Sequence, residues 1–115
     1  MRIVAFDCST ALGSVVATVD GRVEFRVDFD SPRGRGGRFF PELERAMKAV
    51  GHPDRVAVGI GPGSYNGLRT TVAAAAGLRL ATGAGLVGVL SVRCLAVEAR
   101  EYFAVGDARA GQVFL

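Results

Sequence analysis

Positions 59 to 69 read GIGPGSYNGLR, a segment with residue types suited to three kinds of chemistry. Glycines can cradle a phosphate, a serine can attack a carbonyl, and a helix start can attract an anion. Spacing separates these. A dinucleotide fingerprint GxGxxG fails from either start, because the sixth position is Ser64 counted from Gly59 and Asn66 counted from Gly61. No glycine is followed by Lys and then Ser or Thr, which removes the Walker A loop. A nucleophile elbow centred on Ser64 would need glycines where Pro62 and Asn66 stand, and the single histidine, His52, has no evident acidic partner for a triad. A conformational reading is left. Gly61 and Gly63 let the chain turn, Pro62 stiffens it, and the backbone N–H groups from Ser64 onward open a helix. Such an end favours anions. Alternatively, Ser64 or Asn66 caps the helix, and Gly61, Pro62, Gly63, Ser64 and Gly67 form a structural loop that permits close packing.

The flanking elements must position that loop. RIVAFDCS, SVVATVD and RVEFRVDFD are β-rich and separated by LG and DG turn signals, which predicts three antiparallel strands. In the third, Val23, Phe25, Val27 and Phe29 alternate with charged residues, so one face is expected to be buried and the other wet. After a basic, glycine-rich stretch, SPRGRGGR, the segment FFPELERAMKAVG has helical spacing and a terminal glycine suited to a C-cap. RVAVGIG then reads as a buried strand, GLRTTVAAAAGLRLATG as a helix, LVGV as a short strand, SVRCLAVEAR as a helix capped by Ser91, and EYFAVGDARAGQVFL as a closing hairpin across Ala108 to Gly111. The expected fold is α/β: a mixed five-stranded sheet with three antiparallel strands first, made of RIVAFDCS, SVVATVD, RVEFRVDFD, RVAVGIG and YFAVGD, with helices packed on it. LVGV and QVFL are expected as short additions.

At 115 residues and 50% hydrophobic, the chain fits one domain that buries about two thirds of the surface its unfolded form exposes. No charge-free apolar run reaches the roughly 18 to 20 residues of a membrane span, and a cytoplasmic location is expected. Cys8 and Cys94 lack CxxC spacing and are read as buried free thiols, and with one histidine no zinc cluster is expected. The formal charge of +3 is compatible with an acidic partner without requiring one.

GPGSYNGLR resembles the GPGSFTGLR signature of the TsaB (YeaZ) family of bacterial proteins needed to form threonylcarbamoyladenosine in tRNA. MRIVAFDCSTALGSVVATVDG is similar to that family's opening, GLVGVLSVRCLA to its GVSSLEALA segment, and DARAGQVF to its DARRGEVY. The resemblance implies an actin-like ATPase (ribonuclease-H-like) lobe, with residues 1 to 115 as a single N-terminal lobe. It makes Asp7, Ser9 and Thr10 a vestigial phosphate loop in which Ser9 stands where a glycine is usual. ATP is then expected to bind weakly, or only in a complex. Asp7 has a second reading as a strand-end residue that bonds nearby backbone N–H groups.

The resemblance further implies a non-catalytic scaffold or activating subunit. Its partners would be a metal-containing, TsaD-type catalytic paralogue, an ATPase subunit of the same complex and, indirectly, tRNA. Pairing would use the first two helices, through Phe39, Phe40, Leu43 and Met47 on one and Arg69, Ala73, Ala76 and Leu80 on the other. The open alternative is that both helices only cover their own sheet. Arg33, Arg35 and Arg38 either meet tRNA phosphates or belong to a solvated loop. A chain ending at Leu115 would leave surface bare, and a homodimer through the helices or an edge strand is expected when the protein is alone. The competing function is a stand-alone nucleotide-binding enzyme of the actin-like superfamily, with Asp7 and Asp107 as its plausible acids. A peptidase reading lacks the metal cluster it would need.

Overall fold

Three hydrophobic strands in a row set the frame. The computed structural model describes residues 1–30, 37–91, 106–107 and 113–114, the last four as backbone alone. β1 (Arg2–Asp7), β2 (Leu12–Val19) and β3 (Arg22–Asp30) form an antiparallel meander. The β2–β3 turn has positive φ at both Asp20 (50°) and Gly21 (81°), as the Asp-Gly pair predicts for a tight hairpin. α1 (Phe39–Val50), β4 (Arg55–Gly59), α2 (Tyr65–Thr82) and β5 (Gly85–Val89) follow. β4 and β5 add in parallel, giving the order β3-β2-β1-β4-β5.

One sheet face carries the core. Val4 and Phe6 of β1, Val15 and Ala17 of β2, Phe29 of β3, and Val56 and Val58 of β4 are all buried. α1 lies over β2 and β3, and α2 over β4, β1 and β5. α1 contributes Phe39, Leu43, Ala46 and Val50, a stripe at three- and four-residue spacing, and Phe39 meets Phe6 edge-on at 5.1 Å. Glycines close both helices. Gly51 (φ 79°) donates to Met47 O at 2.7 Å, and Gly83, left-handed at φ 73°, donates to Arg79 O at 2.8 Å.

The structure departs from the sequence-based expectation in four places. The fifth strand of the main sheet is β5, GLVGV. Of YFAVGD only Gly106–Asp107 (β6) is among the described residues, and it pairs antiparallel with Val113–Phe114 (β7) in a separate two-stranded sheet. Leu12-Gly13 is not a turn but the start of β2. Glycine is required there because a Cβ at Gly13 would stand 2.5 Å from the Phe29 ring. The alternation of β3 breaks near its start, where a register shift between Ala17 and Thr18 pairs Val23 with Thr18 on the open face and leaves Val23 56% exposed. Finally, Arg38 is the N-cap residue of α1 rather than part of a loop. The expected helix at 91–100 beyond Ser91, with Cys94, and Arg33 and Arg35 lie outside the described residues.

Candidate functional site

The glycine-rich loop sits at the carboxyl end of β4, directly against the turn that leaves β1. Ser64 N–H donates to Ser9 O at 2.6 Å. A Cβ at Gly63 would stand 2.3 Å from Ser9 O, and one at Gly67 would stand 1.8 Å from Cys8 O. These contacts are with backbone, which cannot swing aside, so only glycine fits at either position. From the other side, Gly61 is clasped by Ser91: Gly61 N–H donates to Ser91 Oγ at 3.0 Å, and Ser91 N–H donates to Gly61 O at 2.9 Å. The Gly61–Pro62 bond is cis. Ser64 Oγ accepts from Gly67 N–H at 3.3 Å and so caps α2. Two of the N–H groups that an anion at this helix end would need, those of Ser64 and Gly67, are therefore already bonded within the chain.

Asp7 ends β1 on the open sheet face. Its Oδ1 accepts the Ser9 N–H at 2.6 Å, the strand-end bond that the sequence allows for. Its Oδ2 lies over Gly59, where a Cβ would come within 1.8 Å of it and within 2.8 Å of Ser91 Oγ. Gly59 thus makes room for a carboxylate and a hydroxyl to converge. Asp7 and Gly59 line a cavity of about 220 Å³ together with Ala5, Ser14, Val16, Ala57 and Val89. Ser14 is the cross-strand partner of Asp7. Ser9 is buried, whereas Thr10 is exposed and its hydroxyl both donates to Leu12 O and accepts from Leu12 N–H. This arrangement can orient a polar group. No nucleophile and base are paired in it among the described residues. Nor do three His, Cys, Asp or Glu side chains stand close enough there to hold a metal ion.

The two helices present different surfaces. On α1, Phe39 and Leu43 belong to the chain's own core, which removes them from a face open to a partner. Phe40 is 53% exposed and Met47 half-buried against the core. On α2, Arg69, Ala73, Ala76 and Leu80 are all exposed, Leu80 at 88%. Tyr65 and Val72, absent from the sequence-based set, are exposed on the same helix, and the Arg69 guanidinium lies over the Tyr65 ring at 5.4 Å. Tyr65 stands four residues before Arg69, and Val72 three after Arg69 and four before Ala76, which is the signal that could have found them. Gly59 and Ser91 were also missed, since nothing in sequence brings position 91 to position 61.

Arg38 is not free to sweep a loop. It lies 3.4 Å from Glu42 Oε1 and 5.8 Å over the Phe29 ring, while Arg45 reaches Glu42 Oε2 at 3.0 Å and the Phe25 ring at 5.6 Å. Two half-exposed guanidiniums thus satisfy one buried carboxylate and pin α1 to β3.

Residues 38–115 match the family model described as TsaD, tRNA N6-adenosine threonylcarbamoyltransferase. The tRNA threonylcarbamoyladenosine biosynthesis protein TsaB of Escherichia coli (strain K12) is 31% identical over 124 aligned positions, which cover 99% of this chain and 53% of that protein. Among solved structures, YeaZ from Pseudomonas aeruginosa superposes with a TM-score of 0.70 at 26% identity, over 78% of this chain and 45% of that one. A second structure, described as an uncharacterized protein from Pseudomonas aeruginosa with similarity to peptidase YeaZ, gives 0.67 at 27% identity, over 77% and 43%. The chain therefore spans about half the length of the relatives it matches. With the GPGS loop seated on the β1 turn, a meander-first mixed sheet and these likenesses in agreement, the chain belongs to the TsaB (YeaZ) family.

Proposed function

We propose that this protein takes part in forming threonylcarbamoyladenosine in tRNA as a scaffold or activating subunit without catalytic groups of its own, docked on a catalytic paralogue of TsaD type. The observation that carries this reading is the outward face of α2. Tyr65, Arg69, Val72, Ala73, Ala76 and Leu80 form a stripe that the chain's own sheet does not use, with small residues where another helix can approach. Phe40, and Met47 in part, are what α1 adds. In this reading an ATPase subunit and tRNA reach the protein through the complex, and ATP binds to the chain alone weakly or not at all, because the Ser9 and Ser64 N–H groups that could meet a phosphate already bond Asp7 Oδ1 and Ser9 O. The complex works in the cytoplasm; no helix among the described residues is long and apolar enough to cross a membrane. Alone, the protein pairs with itself, and sedimentation well above micromolar concentration should show a dimer that the paralogue dissolves if both use α2.

The test is reconstitution. Adding the chain to the paralogue, the ATPase subunit, tRNA and the threonylcarbamoyl donor should raise modified adenosine, while the chain alone should give none. The matched family model carries the name of a transferase, which favours a second reading, an enzyme that acts by itself through the Asp7 cavity. Modification by the isolated chain, lost on Asp7→Asn, would establish that reading and overturn the first.

A further inference from the structure

The loop between β4 and α2 joins two regions that the functional reading treats separately, the Asp7–Thr10 turn and the exposed face of α2. The joint is made of backbone. Ser64 N–H meets Ser9 O at 2.6 Å, and Gly63 and Gly67 leave no space for a methyl group against Ser9 and Cys8. On its other side the loop is tied at Gly61, which makes two hydrogen bonds to Ser91. From Tyr65 the helix runs unbroken to Thr82, so between the joint and Ala76 lies only rigid α-helix. Thr10 stands at the far side of the turn, exposed, bonding Leu12.

We propose that the Asp7–Thr10 turn and α2 move as one body, so that whatever shifts the turn also shifts the docking face and changes its affinity for the partner. The affinity half rests on the docking reading above, and the mechanical half stands without it. The GPGS glycines are, in this account, positioning residues that set how deeply α2 seats against the end of β1.

Amide spectra of the whole chain test the mechanical half, with Thr10→Ala perturbing the turn from its exposed side. The amides of Ala73 and Ala76 should move together with those of Ser64 to Leu68. Shifts confined to residues 7–14 would overturn the coupling. Gly63→Ala should give larger shifts of the same amides, and Thr10→Ala carries the test alone if that variant does not fold. For the affinity half, titration with the TsaD-type paralogue should show Thr10→Ala changing affinity by about threefold or more, the size expected when a residue acts through a packed network without touching the partner. Ala76→Glu serves as the reference in that titration. If Ala76→Glu loses binding while Thr10→Ala keeps wild-type affinity, the affinity half is wrong. If Ala76→Glu binds normally, it is the docking reading that fails.

Discussion

Gly67 and Gly77 lie on the same helix and differ completely in what a side chain there would meet. At Gly67 a Cβ would stand 1.8 Å from the Cys8 carbonyl oxygen, whereas at Gly77 nothing lies within 4 Å. The first glycine is imposed by the chain's own packing, because two backbones cross too closely for any other residue. The second weakens an exposed helix for no reason inside the molecule. α2 therefore has two faces with different duties: Gly67, Thr71 and Ala75 turn to the chain's own sheet, and Tyr65, Arg69, Ala73, Ala76 and Leu80 turn outward.

The largest expected effect breaks or upholds that contrast. Gly67→Ala should cost about 3 kcal/mol, because the methyl group has only backbone to push against. Gly77→Ala should instead raise stability by about 0.5–1 kcal/mol, through helix propensity alone. Urea unfolding of both variants decides it, and changes of the same sign would dissolve the distinction between the two faces of the helix.

A smaller effect sharpens the picture at the first turn. Ser64→Ala removes the hydroxyl that accepts from Gly67 N–H but leaves the Ser64 N–H to Ser9 O bond in place. The loss should be about 1 kcal/mol, that of an ordinary N-cap. A loss as large as that of Gly67→Ala would mean that the serine side chain, not the backbone contact, holds the loop.

The smallest effect lies at the opposite end of the sheet, where contacts are loose. The chain's N-terminal ammonium bonds Asp20 and, with the nearby positive charge of Arg2, holds its carboxyl below the usual value of 3.8. A folded-state pKa below the unfolded one stabilises at pH values above about 4, and the gain fades as pH falls through the depressed value. Asp20 is fully exposed, so the effect should be slight. Asp20→Asn should flatten the acid side of a thermal-stability profile a little, and a steeper profile would contradict the assignment.

Much of this was legible in the sequence, for physical reasons. The β-rich composition of the first three strands, the Asp-Gly hairpin and the glycine-closed helices are local patterns, and these survive folding. The glycine loop was recognisable as a helix start, but its true neighbour, the Cys8–Ser9 backbone, lies more than fifty positions away and left no local signal. Ser91, 30 positions from Gly61, left none either. Val23 was misplaced because a bulge resets the two-residue period, and nothing in RVEFRVDFD marks it. The resemblance implies a partner face that includes Phe39 and Leu43, but both lie in the chain's own core, and periodicity identifies a helix's apolar side without saying what covers it. LVGV is expected only as a short addition, yet its parallel register beside β4 makes it the fifth strand, a pairing that no local pattern in the segment reveals.

The central claim is that the outer face of α2 belongs to a partner. Its most direct test is calorimetric titration of the TsaD-type paralogue with wild-type protein and with Ala76→Glu. Ala76 is exposed, so the variant should unfold within about 0.5 kcal/mol of wild type. Its affinity should fall at least about a hundredfold, because a carboxylate would be stripped of water between two helices. A folded Ala76→Glu protein that binds the paralogue as tightly as wild type would contradict the account.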